Sequence, residues 1–218
     1  MLKLILVISA LSYSVFTSAQ VNVRDEPRHH NVFENEFIRV LDVHLGPKDT
    51  TLYHLHNTPS VFIILANVKV ASQLAGQQPQ QGANISGITT YDEIATPRIH
   101  RVWNEDTSWF HVIDIELTAS QPKNKVELLD DDQLQHLFNE KLVTGYEIKM
   151  SKGRTIKLPS SKSGYFFVSL GNAIVDIKLN ESIQHRNMKA GHYLWMDGKD
   201  STTITSITVA DFVLLQLK

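Results

Sequence analysis

Two imidazoles stand two positions apart at His54-Leu55-His56, in a stretch rich in β-branched and aromatic residues. On an extended strand, side chains two apart leave the same face, so both rings can meet one ion. A third, His100, opens the run His100-Arg101-Val102-Trp103-Asn104, and on a neighbouring strand it would complete a three-nitrogen site. Three neutral imidazoles leave a divalent ion with its full charge and with open positions, which favours water, oxygen or an anionic chelating molecule. The expected cofactor is a divalent transition metal, and the donor set does not distinguish Fe, Ni, Cu, Zn or Mn. The same three residues are also compatible with a polar pocket that holds no metal.

The elements that must position these residues read as strands. Phe37, Arg39, Leu41, Val43 and Leu45 alternate with Ile38, Val40, Asp42 and His44 up to a turn at Gly46-Pro47-Lys48-Asp49, a period of two. Further strands are predicted over 50–56, 60–66, 68–74, 87–91, 99–103 and 108–117, with the polar stretch 75–84 as a mobile hairpin loop. Asp130-Asp131-Asp132 is expected to cap or precede a short helical turn. Many short strands separated by turn signals argue an all-β barrel or sandwich.

The chain also repeats itself. Displaced by 105 residues, Phe33 falls on Phe138, Asp42 on Glu147, Val43 on Ile148, Leu45 on Met150, Thr50 on Thr155, Phe62 on Phe167 and Leu65 on Leu170. The segment 111–117 matches 211–217 at a displacement of 100. In the second copy His54 falls on Pro159 and His56 on Ser161, and 202–208 contains no histidine. The expected arrangement is therefore an N-terminal unit over 20–118 that carries the site, a linker over 119–136, and a ligand-free second unit over 137–218.

A glycine, then His-X-His, an apolar strand and a later His-X-X-X-Asn resemble the two-part signature of the cupins. The resemblance implies two tandem double-stranded β-helix (jelly-roll) barrels, a bicupin whose second barrel is degenerate. It also implies one metal in the mouth of the first barrel, on His54, His56 and His100. Two positions depart from the pattern: Ser60 replaces the glutamate four residues after the second histidine, and Pro97 replaces a glycine three residues before His100. Three-histidine Fe(II) centres of thiol dioxygenases and other cupin oxygenases are the sites these residues resemble, so a dioxygenase acting on a small organic molecule is one expectation. The alternative is a non-catalytic small-ligand or carbohydrate-binding cupin, its second barrel serving for packing or for a homodimer.

Other side chains could join that site or lie apart from it. His111 lies on the closing strand in alternation with Trp109, Ile113, Ile115 and Leu117, which predicts that it points into the barrel as a partner of a ligand, a fourth ligand or a general base; an ordinary core histidine is the competing reading. Asp92 and Glu93 read as solvated loop acids, and His29, His30, His44 and His136 as surface residues. Tyr53, Trp103 and Trp109 can shape a pocket, though packing alone accounts for their types.

Composition bounds the compartment and the partners. Met1-Leu2-Lys3, an apolar run and Thr17-Ser18-Ala19 match a cleavable secretory signal over 1–19, with cleavage expected after Ala19 and no membrane association afterwards. The apolar run is shorter than the ~20 residues a spanning helix needs. There is no cysteine, hence no disulfide and no lipid-anchoring thiol. With 21 basic and 23 acidic residues the formal net charge is −2, so no nucleic-acid surface is expected. The expected setting is periplasmic or secreted, with a small molecule as partner.

Overall fold

The computed structural model describes residues 20–123 and 125–218, so the expected leader lies outside the described residues. Strands run in chain order as β1 (Val21–Asn22), β2 (His29–Glu34), β3 (Ile38–Leu45), β4 (His54–His56), β5 (Ser60–Ile64), β6 (Val68–Leu74), β7 (Gln80–Asn84), β8 (Thr89–Asp92), β9 (Arg98–Asn104) and β10 (Phe110–Leu117). They continue as β11 (Leu134–Asn139), β12 (Val143–Met150), β13 (Thr155–Leu158), β14 (Tyr165–Ser169), β15 (Ala173–Leu179), β16 (Ser182–Met188), β17 (Tyr193–Met196), β18 (Thr202–Ser206) and β19 (Ala210–Leu217). No α-helix occurs among the described residues.

The strands close two barrels, each of two facing sheets. In the first barrel the orders are β1-β4-β9-β6-β7 and β2-β3-β10-β5-β8; in the second they are β13-β18-β15-β16 and β11-β12-β19-β14-β17. The second pair of orders copies the first strand for strand, apart from β1. The sequence repeat is the reason. Strands β12, β14 and β15 lie 105 residues after β3, β5 and β6 with identical bounds, and β19 lies 100 after β10. Even an irregularity recurs, since β2 slips its register on β3 just before Phe33 and β11 slips on β12 just before Phe138.

Three expectations are corrected. The polar stretch 75–84 contains strand β7, which pairs antiparallel with β6 from Val68↔Asn84 to Ser72↔Gln80. Its polar side chains are nearly all exposed, as suits a sheet edge that gains its stability from the ladder and not from burial. The acidic run leads into a turn and not a helix: Asp131 accepts from the N–H of Gln133 with its side chain at 3.0 Å and from the N–H of Leu134 with its carbonyl at 3.0 Å. Strand β4 is only three residues long and not the seven expected over 50–56; Thr50 makes an isolated bridge to Trp103 and Thr51 a backbone hydrogen bond to Val102 without continuing the strand.

The barrels meet through one sheet of each. Alternation on β10 sends Val112 and Asp114 into the first barrel and Ile113, Ile115 and Leu117 outward, where they pack with Phe166, Val168, Val213 and Leu215 of the second. Phe166 has no exposed surface, stacks on Tyr193 at 5.0 Å between ring centroids and lies 6.3 Å from Phe33 of the first barrel. Truncating it removes a large side chain that both barrels share. Phe166→Ala is expected to cost about 3–5 kcal/mol and to lower the stability of both barrels in one transition, checked by urea unfolding followed by tryptophan fluorescence and far-UV circular dichroism. Loss confined to one of two separate transitions would show that the shared core does not couple them.

Candidate functional site

Strands β4 and β9 build the site between them. His54 pairs directly across the ladder with His100, and His56 with Arg98, so the two-residue period of β4 and the register of one short ladder bring three imidazoles together. Their ring centroids are 5.0 Å (His54 to His56), 4.6 Å (His54 to His100) and 4.9 Å (His56 to His100) apart. The three residues singled out by spacing therefore share one location. Asn104, the last residue of the second motif, braces it from outside. Its side-chain N–H groups donate to the carbonyls of Leu45 at 3.1 Å and Ser108 at 2.7 Å, which ties the end of β3 to the turn before β10.

A fourth imidazole joins them. His29, expected on the surface, is buried, with its ring 4.7 Å from that of His54 and 6.5 Å from that of His56. The ligand atoms of His29, His54 and His56 all lie within 4.8 Å of one another. Behind His29 stands Glu26, whose Oε2 is 2.7 Å from Nδ1. Burial works to raise the Glu26 pKa, but hydrogen bonds from His29 and from the N–H groups of Leu52 and Arg28 outweigh it and hold the pKa below the ordinary value. A carboxylate on Nδ1 leaves Nε2 for the cluster, the usual outer partner of a metal-bound histidine. His54 is oriented in the same way by a carbonyl: its Nδ1 donates to Leu52 O at 2.9 Å, which fixes Nε2 as the bare nitrogen.

The cluster is electrically prepared for a cation. Burial depresses the pKa of His54 to about 4 and that of His100 to about 3, and burial followed by the neighbouring imidazoles pushes His56 lower still. All three are neutral at pH 7, the form that ligates. Among the described residues, His56 Nδ1 and His100 Nε2 are buried without a hydrogen-bond partner. Orphaned nitrogens of this kind are costly, and a divalent ion would satisfy them; the residues fit the group.

Above the histidines opens a cavity of about 610 Å³ with walls from Phe62, Ile64, Leu74 and Val112, within the size range of small-molecule sites. Besides the histidines, Asp92, Arg98 and Asp114 line it. Arg98 pairs with Asp92 while its Nε stays buried and unpartnered. Asp114, fully buried on β10, sits with Oδ2 3.8 Å from His56 Nδ1. Burial and then the charge of Glu116 raise Asp114 to about 8, so it is mostly a neutral acid at pH 7. Ser60, at the expected glutamate position, is buried on the same face of β5 as Phe62, and its hydroxyl, beside Asp114, donates to Thr58 O at 3.2 Å. The carboxyl missing from position 60 is thus present on the neighbouring strand.

His29, Glu26, Asp114 and Arg98 were not singled out from sequence. An acid three residues before His29 and acids at 114 and 116 inside an apolar strand were the traces available. His111, expected to point into the barrel, faces the opposite way, since the alternation that puts Val112 and Asp114 inside must put it outside. Asp92 is the salt-bridge partner of Arg98 and not a solvated loop acid.

No protein-family model matches the sequence, and no curated protein matches it significantly. Among solved structures the chain is similar to the protein YhaK from Escherichia coli, at 12% identity and a TM-score of 0.56 over 88% of this chain and 92% of that one. It is also similar to a cupin 2 conserved barrel domain protein from Leptotrichia buccalis (9%, TM-score 0.57, 87% and 88%) and to a salicylate 1,2-dioxygenase from Pseudaminobacter salicylatoxidans (9%, TM-score 0.58, 83% and 71%). The likeness is one of fold: the chain has two tandem barrels of the kind found in cupin-domain proteins.

The imidazole environment sets a pH dependence for the metal-free protein. The unfolded chain takes up protons near pH 6.5, while the folded site refuses them until about pH 4 at His54 and about pH 3 at His100. Stability is therefore present above 6.5 and falls as pH drops below it, each imidazole contributing on the order of 3 kcal/mol. Asp114 acts in the opposite sense, costing stability as pH rises from 3.8 towards about 8, but one carboxyl opposes three imidazoles. Urea midpoints in chelator are expected to fall from pH 6.5 to 4; a flat profile would show that the rings are solvated.

Proposed function

We propose that this chain is an exported bicupin that binds a divalent transition metal on His54, His56 and His100, with His29 as a further ligand, and that it acts as a dioxygenase on a small anionic organic molecule. The observation that supports this most directly is the convergence of four histidines, three of them held neutral by burial, at the base of a cavity of about 610 Å³. The similarity to a salicylate 1,2-dioxygenase adds the same direction at the level of fold only. Export is proposed from the residue pattern of 1–19. Among the described residues no helix is long and apolar enough to cross a membrane.

A metal bound here would supply Lewis acidity and a place where oxygen and a chelating substrate meet. The chain's own residues do the rest. Arg98, at the cavity wall opposite His56, offers the charge that orients an anionic group, and its pairing with Asp92 holds the guanidinium in place. The walls from Phe62, Ile64 and Val112 take the apolar body and keep out water. Asp114, which holds its proton at neutral pH in the metal-free site, can give a proton to a substrate oxygen near His56 and take one back. Glu26 keeps His29 in the tautomer that ligates.

Metal content of protein recovered from its native compartment, followed by oxygen consumption with small aromatic and aliphatic acids, tests the reading. Metal bound without oxygen uptake would favour a binding protein. Replacing His54, His56 or His100 by Ala is expected to reduce occupancy strongly, whereas His136→Ala leaves it unchanged. Glu26→Gln, which touches no metal, is expected to weaken affinity about 10–100-fold, read by competition with a chelating dye. Equal affinity of parent and Glu26→Gln would remove His29 from the ligand set.

A further inference from the structure

On the other face of β3 and β10 from the cavity lies a second set of donors. Asp42 and His44 are two residues apart on β3 and so share a face, and His111 on β10 is the cross-strand partner of His44. The cavity cluster has the same construction, with His54 and His56 two apart on β4 and His100 opposite His54. In the outer set, Nε2 of His111 stands 2.7 Å and Nε2 of His44 3.1 Å from one oxygen, Oδ1 of Asp42. The two rings are stacked at 4.0 Å with 21° between their planes, and all three ligand atoms lie within 4.8 Å of one another.

The second barrel holds this group from outside. A Cβ at position 191 would come within 2.7 Å of His111 Cε1, and Gly191 has φ +82°, so the turn can press on the ring only with glycine there. Asp42, Gly191 and His192 line a cavity of about 340 Å³ between the barrels. The side chains are 29% (Asp42), 38% (His44) and 18% (His111) exposed, open enough for an ion to enter from water.

We propose that Asp42, His44 and His111 form a second metal site, at the seam between the barrels, that takes Zn²⁺ or a divalent ion of like preference. Two imidazoles and a carboxylate are a donor set that zinc accepts with a fourth, open position. Donors about 2.0–2.1 Å from a tetrahedral ion stand roughly 3.3 Å apart. The observed separations of 2.7 and 3.1 Å from Asp42 Oδ1 therefore need to open only slightly, within the reach of side-chain rotation. Each Nε2 gives up its bond to the carboxylate, its proton moving to Nδ1 or to water. Of the three ligands Asp42 lines the cavity of about 340 Å³, and the exposed side of His44 gives water a route to the fourth position.

The test is a Zn²⁺ titration of chelator-stripped full-length protein by calorimetry, repeated with Co²⁺ and read by visible absorption. His54→Ala/His56→Ala breaks up the cavity cluster and isolates the seam. The expected result is one remaining equivalent of Zn²⁺ with the absorption of four-coordinate Co²⁺. Adding His44→Gln to that variant is expected to weaken Zn²⁺ binding by more than about 100-fold, beyond what even loss of an outer partner costs, with Asp42→Asn acting alike. Melts in chelator, where His44→Gln should match its background, separate ligand loss from unfolding. A folded His54→Ala/His56→Ala variant that binds no Zn²⁺, or one whose binding ignores His44→Gln and Asp42→Asn, overturns the proposal and would make the group a hydrogen-bonded Asp-His cluster only. The cavity site stands or falls separately, on Zn²⁺ lost between parent and His54→Ala/His56→Ala.

Discussion

Strands β3, β10 and β5 are buried on both faces over most of their length, and the rest of the structure depends on that double burial. Antiparallel sheets commonly keep one face for water. Here the inner face lines the cavity and the outer face forms the core shared with the second barrel. A strand under this constraint has little tolerance for a shift of one residue, because a slip would exchange Asp114 and Glu116 for Ile113 and Ile115. The full-length ladders of β10 with β3 and of β5 with β10 supply that fixed register. Against it the short β4 can place two histidines with so little strand of its own.

Burial then sets the chemistry. The histidines are neutral because water is excluded from them, and Asp114 is protonated for the same reason. Exchanging a glutamate at position 60 for Ser60 while keeping Asp114 close by changes the character of the site. In the metal-free site the Asp114 carboxyl is a neutral acid near His56 and keeps a proton available. Under the proposed reading, a metal together with Arg98 at the cavity wall would favour an anionic partner over a neutral one.

How much of this was legible in the sequence follows from the range of each signal. The two-residue period and the exact displacement of the repeat carried the barrel fold, because both are written in local order and recur. His54, His56 and His100 were legible since two of them share a strand and the third sits in a motif. His29 was not, because the contact that buries it joins the start of β2 to β4 and no local pattern records which edge a first strand covers. The inward reading of His111 failed for a definable reason. With both faces of β10 buried and each mixing apolar with polar residues, alternation alone does not say which one faces the ligand. Strand β7 was hidden by its composition, for an exposed edge strand needs partners along its backbone and hardly any apolar side chains.

The second barrel repeats the strand order and register of the first but has Pro159 and Ser161 where the first has His54 and His56. One molecule thus carries both a histidine-lined barrel and its own blank. Spectroscopic or calorimetric differences between the halves, with the shared sheet core common to both, would report what installing imidazoles costs a barrel of this architecture, a comparison that ordinarily requires two proteins.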